Sequence, residues 1–299
     1  MKVSTSEKIN DEISIVLITE SFFPQNTSAS VQLDELCRAL TACGFLITVI
    51  VPESSPSEIA SSKIEQLEFY RVFRVSMPLS KGESYLRRMV YESVMPFVMM
   101  RAWKNSQYMD KCDGILWYSP SIFHGIFASY LKKKYQTSTY LILRDIFPEW
   151  AVDLKIISKF NPIYWYFKVI EAIQYKAADK IGVQSPGNLP YLDKWASPGK
   201  REIEVLHNWY RPVENHKCTI QLSSTSLAGR NIFVYAGNVG VAQNLRLIIK
   251  AAATLTHRDD IGFVIVGRGS EFKNIEAQTR DLNNVLCFDE LSSDEIPGL

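Results

Sequence analysis

The chain has 299 residues, of which 46% are apolar, 22% charged and 12% aromatic, and its formal charge is +1. That length holds two domains of ordinary size, and the composition is that of a globular protein rather than a disordered one. A charge so near zero gives no bulk field toward nucleic acid, so no nucleic-acid partner is expected.

In chain order, strand-like and helix-like runs alternate. "ISIVLIT" (13–19) is a continuous apolar run, as expected of a parallel strand covered on both faces. "ESFFPQNTSAS" follows as a turn-rich loop. The helix after it carries Leu33, Leu36, Cys37 and Leu40 on one face and stops at Gly44. "FLITVIV" (45–51) is the next strand, and the more alternating "LEFYRVFRV" (67–75) is expected at a sheet edge. Residues 83–109 form a helix with a bend at Pro96. "GILWYS" (114–119) and "TYLIL" (139–143) are strands with a helix between them. Asn161 caps a helix that starts with Pro162 and ends near Lys176. "KIGVQS" (180–185) and "EVLHN" (204–208) are short strands around one more helix. Residues 211–229 lose the apolar period and gain Ser and Thr, the mark of an interdomain linker. The alternation then resumes with strand 231–236, helix 242–255, strand 261–266, helix 270–281 and strand 284–288.

This plan predicts an α/β protein with two Rossmann-like domains: an N-terminal domain over 1–210, a linker over 211–229 and a second domain over 230–299. Ligands of such sheets sit at the carboxyl ends of the strands, which in a two-domain arrangement means the cleft between the domains. The start of the chain is polar and charged, so no signal peptide is expected. The five cysteines, at 37, 43, 112, 218 and 287, are scattered and odd in number. They argue against a disulfide framework and for a reducing compartment. The longest apolar stretch (89–100) is too short to span a bilayer.

Two glycine pairs carry the chemistry. Gly237 and Gly240 follow a strand and precede a helical pattern, so a ligand can approach the backbone closely there. Unpaired N–H groups and the positive helix end suit a diphosphate. A tight turn that needs glycine for packing alone explains the pair equally well. The second pair is Gly267 and Gly269 in "VGRGSE", with Arg268 between them. Position 272 is Phe, so GxGxxG fails and a nicotinamide site is not expected. GxxxxGK[ST] is absent, no Asp-x-Asp triplet occurs, and the four histidines are dispersed, so the expectation is no metal and no cofactor.

Taken together, "ITESFFPQNTSASVQLDELCRALTACG", "YSPSIFHG", "YLILRDIFPEWAVD", "AADKIGVQSPGNLPYL", "IEVLHNW" and "FVYAGNVGVAQNL…FVIVGRGSE" resemble bacterial GT-B glycosyltransferases of the retaining family-4 type. The resemblance covers nearly all of residues 12–299 and is strongest to the N-acetyl-L-fucosamine transferase group of O-antigen and capsule assembly. It implies a UDP-sugar donor bound by Gly237, Asn238, Gly240, Gln243, Gly267 and Arg268, with the base read near Phe288. It further implies an acceptor side made of the loop Ser28–Ala29–Ser30 with Tyr118, and a cleft-facing stretch that holds Asp145 and Glu149, the candidate catalytic carboxylates; a helix N-cap or a salt bridge with Arg144 explains Asp145 at least as well. Ser-Ala-Ser stands where many relatives have Gly-Gly, and Tyr118 stands near a histidine of some relatives. Val241 and Ala242 occupy ground where relatives often carry an Arg or Lys, which leaves the phosphate charge to backbone amides and to Arg246 or Arg268. The resemblance also implies a longer second domain, so that this one is incomplete, with an unpaired sheet edge after Phe288.

The implied partners are a nucleotide-sugar donor, a polyprenyl-diphosphate-linked saccharide acceptor and a membrane surface reached from the cytoplasmic side. "SYLRRMVYESVMPFVMMRAWK" (84–104), "YLKKK" and "FNPIYWYFK" are the segments with interfacial character. Two other readings stand beside this one. One is a nucleotide-sugar 2-epimerase on the same fold, and the other is an inactive truncated fragment.

Overall fold

A computed structural model describes residues 12–25, 27–54, 62–78, 84–106, 108, 111–196, 201–211, 217–292 and 294–299. The polar N-terminal stretch read above and residues 212–216 of the expected linker lie outside them. The chain divides into two compact units, 1–210 and 211–299.

The first unit holds β1 (Ser14–Ile18), β2 (Leu46–Ser54), β3 (Lys63–Gln66), β4 (Arg71–Met77), β5 (Gly114–Ser119), β6 (Ser138–Leu143), β7 (Lys180–Val183) and β8 (Glu202–Val205). They form one sheet in the order β3-β4-β2-β1-β5-β6-β7-β8, parallel throughout except that β3 runs antiparallel to β4. Its helices are α1 (Ser28–Ala42), α2 (Tyr85–Ser106), α3 (His124–Tyr135), α4 (Glu149–Asp153) and α5 (Pro162–Ala177). The continuous apolar runs are buried on both faces because successive side chains point to opposite sides. Val16, Ile18, Trp117 and Leu141 pack with α2, α3 and α5, while Leu17, Val49 and Ile142 pack with Leu33 and Cys37 of α1.

Local signals set the helix ends. Thr27 caps α1 by accepting from the Ser30 amide at 3.1 Å, and Gly44 beyond the helix takes φ +89°. Asn161 caps α5 through the Ile163 amide at 2.9 Å, with Pro162 at the first position, as the sequence predicts. Gly125 lets α3 approach α5 closely, since a Cβ there would lie 2.3 Å from the Gln174 Cα.

Four expectations need correction. Residues 67–70 turn rather than extend, with the Leu67 amide bonded to the Tyr70 carbonyl. The strand that follows, β4, is not an edge, because β3 covers it; β3 is short and polar, so its sequence shows no strand pattern. The helix expected between β7 and β8 is two 3-10 turns, Pro186–Tyr191 and Asp193–Trp195, where Pro190 lacks the amide that an α-helix needs for its bond to the carbonyl of residue 186. The loop assigned to Ser28–Ala29–Ser30 is the first turn of α1, drawn into the helix by the Thr27 cap. The Pro96 position is helical, and Pro96 is buried within α2.

The second unit holds β9 (Asn231–Ala236), β10 (Ile261–Val266) and β11 (Val285–Phe288) in a parallel sheet of order β11-β10-β9. Its helices are α6 (Arg246–Thr254) and α7 (Phe272–Thr279). Phe263 and Ile265 pack with both helices on one face. Val264 and Val266 pack on the other with Leu227, Ile220 and Leu222, so part of the expected linker is core of this unit. Among the described residues β11 is an unpaired edge of this sheet, as expected, and β9 is the other. On β9 Phe233 and Val234, on opposite faces, are 59% and 45% exposed.

Candidate functional site

In the second unit, β9, β10 and β11 end at Ala236, Val266 and Phe288 in register at one sheet edge, and two glycine loops leave from it. Backbone hydrogen bonds clasp the loops together. The Gly237 amide donates to the Val266 carbonyl at 2.9 Å and the Val239 amide to the Arg268 carbonyl at 2.8 Å. The Glu271 amide donates to Val239 at 3.0 Å and the Gly267 amide to Phe288 at 3.2 Å. A Cβ on Gly267 would lie 1.8 Å from the Gly237 carbonyl oxygen, and one on Gly269 would lie 2.2 Å from that of Val239. Both positions also have positive φ, so only glycine lets these backbones touch.

The first pair is different. Gly237 has φ +152°, and a Cβ there would meet only the Tyr235 hydroxyl, at 3.7 Å. At Gly240 a Cβ would meet the mobile ends of Asn238 and Gln243. Packing therefore explains Gly267 and Gly269, whereas at Gly237 a Cβ would make only an ordinary contact with Tyr235. The amides of Asn238, Gly240 and Val241 donate no hydrogen bond among the described residues. The Tyr235 hydroxyl donates to the Asn238 carbonyl at 2.7 Å and the Asn238 side-chain amide to Gln243 Oε1 at 3.2 Å, which holds the loop in shape.

The expected helix from 242 is corrected here. Residues Val241–Gln243 form a 3-10 turn, Asn244 takes the left-handed conformation at φ 47°, and α6 starts only at Arg246. The donors beside Gly237 are thus the amides of a turn rather than those of an α-helix end. Arg268, between its glycines, is 80% exposed and pairs with Glu290 at 2.9 Å. Phe288 contributes its carbonyl to the clasp, while its ring packs with Leu227 and Val266.

In the first unit the carboxyl edge is filled by side chains. Tyr118, next to last in β5, is buried, and burial raises its phenol above the ordinary value. Arg144 follows β6. Its guanidinium lies 5.0 Å from the Trp209 ring and 6.0 Å from the Tyr118 ring, and Nη1 donates to the Leu206 carbonyl at 2.8 Å. Trp209 is fixed in turn by donating Nε1–H to the Gln32 carbonyl of α1 at 2.8 Å. Asp145 neither caps a helix nor pairs with Arg144, and it makes no hydrogen bond among the described residues. Its side chain reaches solvent at the rim of a crowded recess, whose low polarizability raises the carboxyl above the usual carboxylate range.

Glu149 has a different setting. It begins α4 and holds that helix to α5, pairing with Lys168 at 2.8 Å and accepting from the Tyr164 hydroxyl at 3.3 Å. Lys168 also pairs with the buried Glu171. Ser30 is buried, with its hydroxyl bonded to those of Thr27 and Ser21, while Ser28 is exposed on the first turn of α1. The structure therefore brings Tyr118 and Asp145 together and sets Glu149 in an ion-pair network. It adds Arg144 and Trp209, which the sequence reading did not place in the site. The only signals for them were an arginine next to Asp145 and the tryptophan of "LHNW". Among the described residues no group of three His, Cys, Asp or Glu is able to hold a metal.

No family model matches the sequence, and no curated protein matches it. Solved structures do. A sucrose-phosphate synthase from Thermosynechococcus elongatus superposes with a TM-score of 0.59 at 16% identity, covering 96% of this chain and 73% of that one. An alpha,alpha-trehalose-phosphate synthase (UDP-forming) from Burkholderia xenovorans, in complex with glucose-6-phosphate, gives 0.64 at 10% identity, with 95% and 76% covered. A lipopolysaccharide outer core galactosyltransferase gives 0.51 at 15% identity, with 94% and 69% covered. At these identities the likeness concerns the fold: a large parallel sheet followed by a second Rossmann-like unit, as in GT-B glycosyltransferases.

Proposed function

We propose that the chain is a glycosyltransferase that uses a nucleotide-sugar donor, with the donor diphosphate seated on the loop 237–241. The observation that carries this reading is the three unspent amides of Asn238, Gly240 and Val241, at the carboxyl edge where ligands of parallel sheets bind. Negative charge grows on the diphosphate as its bond to the sugar breaks, and fixed N–H groups stabilise that charge without reorganising. Arg268 stands in the second loop of the same edge, paired with Glu290. The fold shared with a UDP-forming synthase supports the assignment.

We assign the acceptor to the first unit and its deprotonation or positioning to Asp145, whose raised carboxyl is nearer to working pH than an ordinary aspartate. Glu149 supports that recess by holding α4 to α5. On the sequence resemblance, transfer proceeds with retention, without a resident metal, from a UDP-sugar such as UDP-N-acetyl-L-fucosamine. The acceptor on that reading is a polyprenyl-diphosphate-linked saccharide in O-antigen or capsule assembly, met by the cytoplasmic protein at the inner face of the plasma membrane. The test is transfer of labelled sugar from a panel of UDP-sugars to polyprenyl-diphosphate-linked N-acetylglucosamine. Product formation supports the reading. Turnover of the nucleotide sugar alone, with no acceptor product, replaces it with the epimerase reading, and no binding of any UDP-sugar overturns both.

A further inference from the structure

Three segments have interfacial character in the sequence, and their settings in the first unit differ. The basic end of α3 is partly committed to the protein: Lys132 pairs with Asp179, Tyr130 stacks on Phe127, and the Tyr135 hydroxyl accepts from Trp103, while Lys133 is exposed. One stripe of α2, Tyr91, Met95, Met99 and Trp103, is core. The other stripe of α2 faces out. Leu86, Val90, Ser93 and Phe97 follow one another at helical spacing, and Leu86 and Phe97 are 65% and 58% exposed.

This outward stripe does not stand alone. The Ser93 hydroxyl bonds to the Tyr166 hydroxyl of α5 at 2.7 Å, so the start of α5 lies beside it. There Trp165 is 62% exposed, and Phe160, in the loop before α5, is 97% exposed. The loop is shaped by its own bonds, from the Phe160 amide to the Ser158 hydroxyl and from the Asn161 amide to the Ser158 carbonyl. Phe160 is therefore presented outward by a defined turn. Lys155 and Lys159 flank it, both exposed and in no ion pair among the described residues. Among those residues no helix is long and apolar enough to cross a membrane.

We propose that the loop before α5, the exposed face of α5 and the outward stripe of α2 form one surface that seats the first unit on an anionic lipid bilayer. Protruding aromatics suit a deformable phase, whereas a protein partner would need a pocket for each. Trp and Tyr favour the headgroup level, apolar side chains the acyl boundary, and lysines an anionic leaflet. The inference deepens the lipid-acceptor reading given above, and its test does not depend on catalysis.

The experiment is co-sedimentation of the full chain with vesicles of phosphatidylglycerol and phosphatidylethanolamine, with phosphatidylcholine vesicles as the uncharged control. Wild type pellets with the anionic vesicles. Phe160→Ser and Trp165→Ser each weaken partitioning about tenfold. Lys155→Gln and Lys159→Gln each weaken it about fivefold and reduce its salt dependence. These side chains are exposed, so the variants keep the wild-type melting temperature. Failure of wild type to bind anionic vesicles, or binding unchanged in all four variants, overturns the proposal. So does concentration-dependent self-association that Phe160→Ser abolishes while vesicle binding stays absent. Vesicle binding without sugar transfer leaves this surface standing and removes the glycosyltransferase reading. Transfer without vesicle binding does the reverse.

Discussion

The two sheets end in carboxyl edges built in opposite ways. In the first unit the edge is furnished with side chains: Tyr118, Arg144, Asp145 and Trp209 fill the space beyond β5 and β6. In the second unit the edge is main chain, two glycine loops laced together with the amides of Asn238, Gly240 and Val241 left unspent among the described residues. A side-chain edge selects a particular guest through shape and through groups that exchange protons. A main-chain edge offers N–H donors at fixed positions and suits an anion common to many guests. One fold thus provides a specific face and a generic one. On the proposed reading these receive the acceptor and the donor diphosphate.

The contrast breaks most sharply at Asp145. Asp145→Asn removes, at nearly constant shape, a carboxylate of the side-chain edge that makes no hydrogen bond among the described residues. Transfer in the labelled-sugar assay falls by about 100-fold to 10,000-fold, the range of positioned acid–base catalysis, with UDP affinity unchanged. On the main-chain edge the largest effect is on stability. Gly267→Ala drives a Cβ into the Gly237 carbonyl and costs about 3 kcal/mol, read as a lowered denaturant midpoint for the second unit. Gly237→Ala meets no such clash. It costs about 1 kcal/mol for its backbone angle and weakens UDP binding about tenfold by calorimetry. Equal stability losses at 237 and 267 would erase the distinction between the two glycine pairs. Arg268→Ala weakens UDP binding about threefold and shifts stability by less than about 0.5 kcal/mol, since its pair with Glu290 is exposed.

The smallest effect is on pH dependence. Burial raises Asp145 above its ordinary value of 3.8, so the folded chain holds this proton to higher pH than the unfolded chain does. The contribution of this group is fully present below pH 3.8 and is lost as pH rises through the folded value. Denaturant midpoints of wild type and Asp145→Asn therefore diverge in that window, with wild type losing ground as pH rises. Divergence in the opposite direction would mean a depressed carboxyl and an unseen cation beside it.

Much of this was legible from sequence, for reasons of local chemistry. The runs "ISIVLIT", "FLITVIV" and "FVIV" announce strands covered on both faces, and Asn161–Pro162 announces a helix start. The strand Lys63–Gln66 was not legible, because pairing with β4 rather than its own residues makes it a strand. The early helix start at 242 was misread because the pattern gives no sign that Asn244 takes a left-handed turn. At the site, sequence found both glycine pairs but not the reason for each. Whether a glycine admits a ligand or another loop depends on a backbone some thirty residues away. The setting of Arg144 is hidden in the same way, since Leu206 and Trp209 reach it only through the fold.

The central claim is that the amides of loop 237–241 hold a nucleoside diphosphate. Titration of UDP into the ¹⁵N-labelled full chain, followed by amide resonances, reads those donors one by one. The account predicts saturable downfield shifts at Asn238, Gly240 and Val241. It predicts much smaller shifts at Gly237 and Val239, whose amides are already bonded within the clasp. Saturable binding with those three resonances unmoved, or with the shifts confined to the first unit, would contradict it.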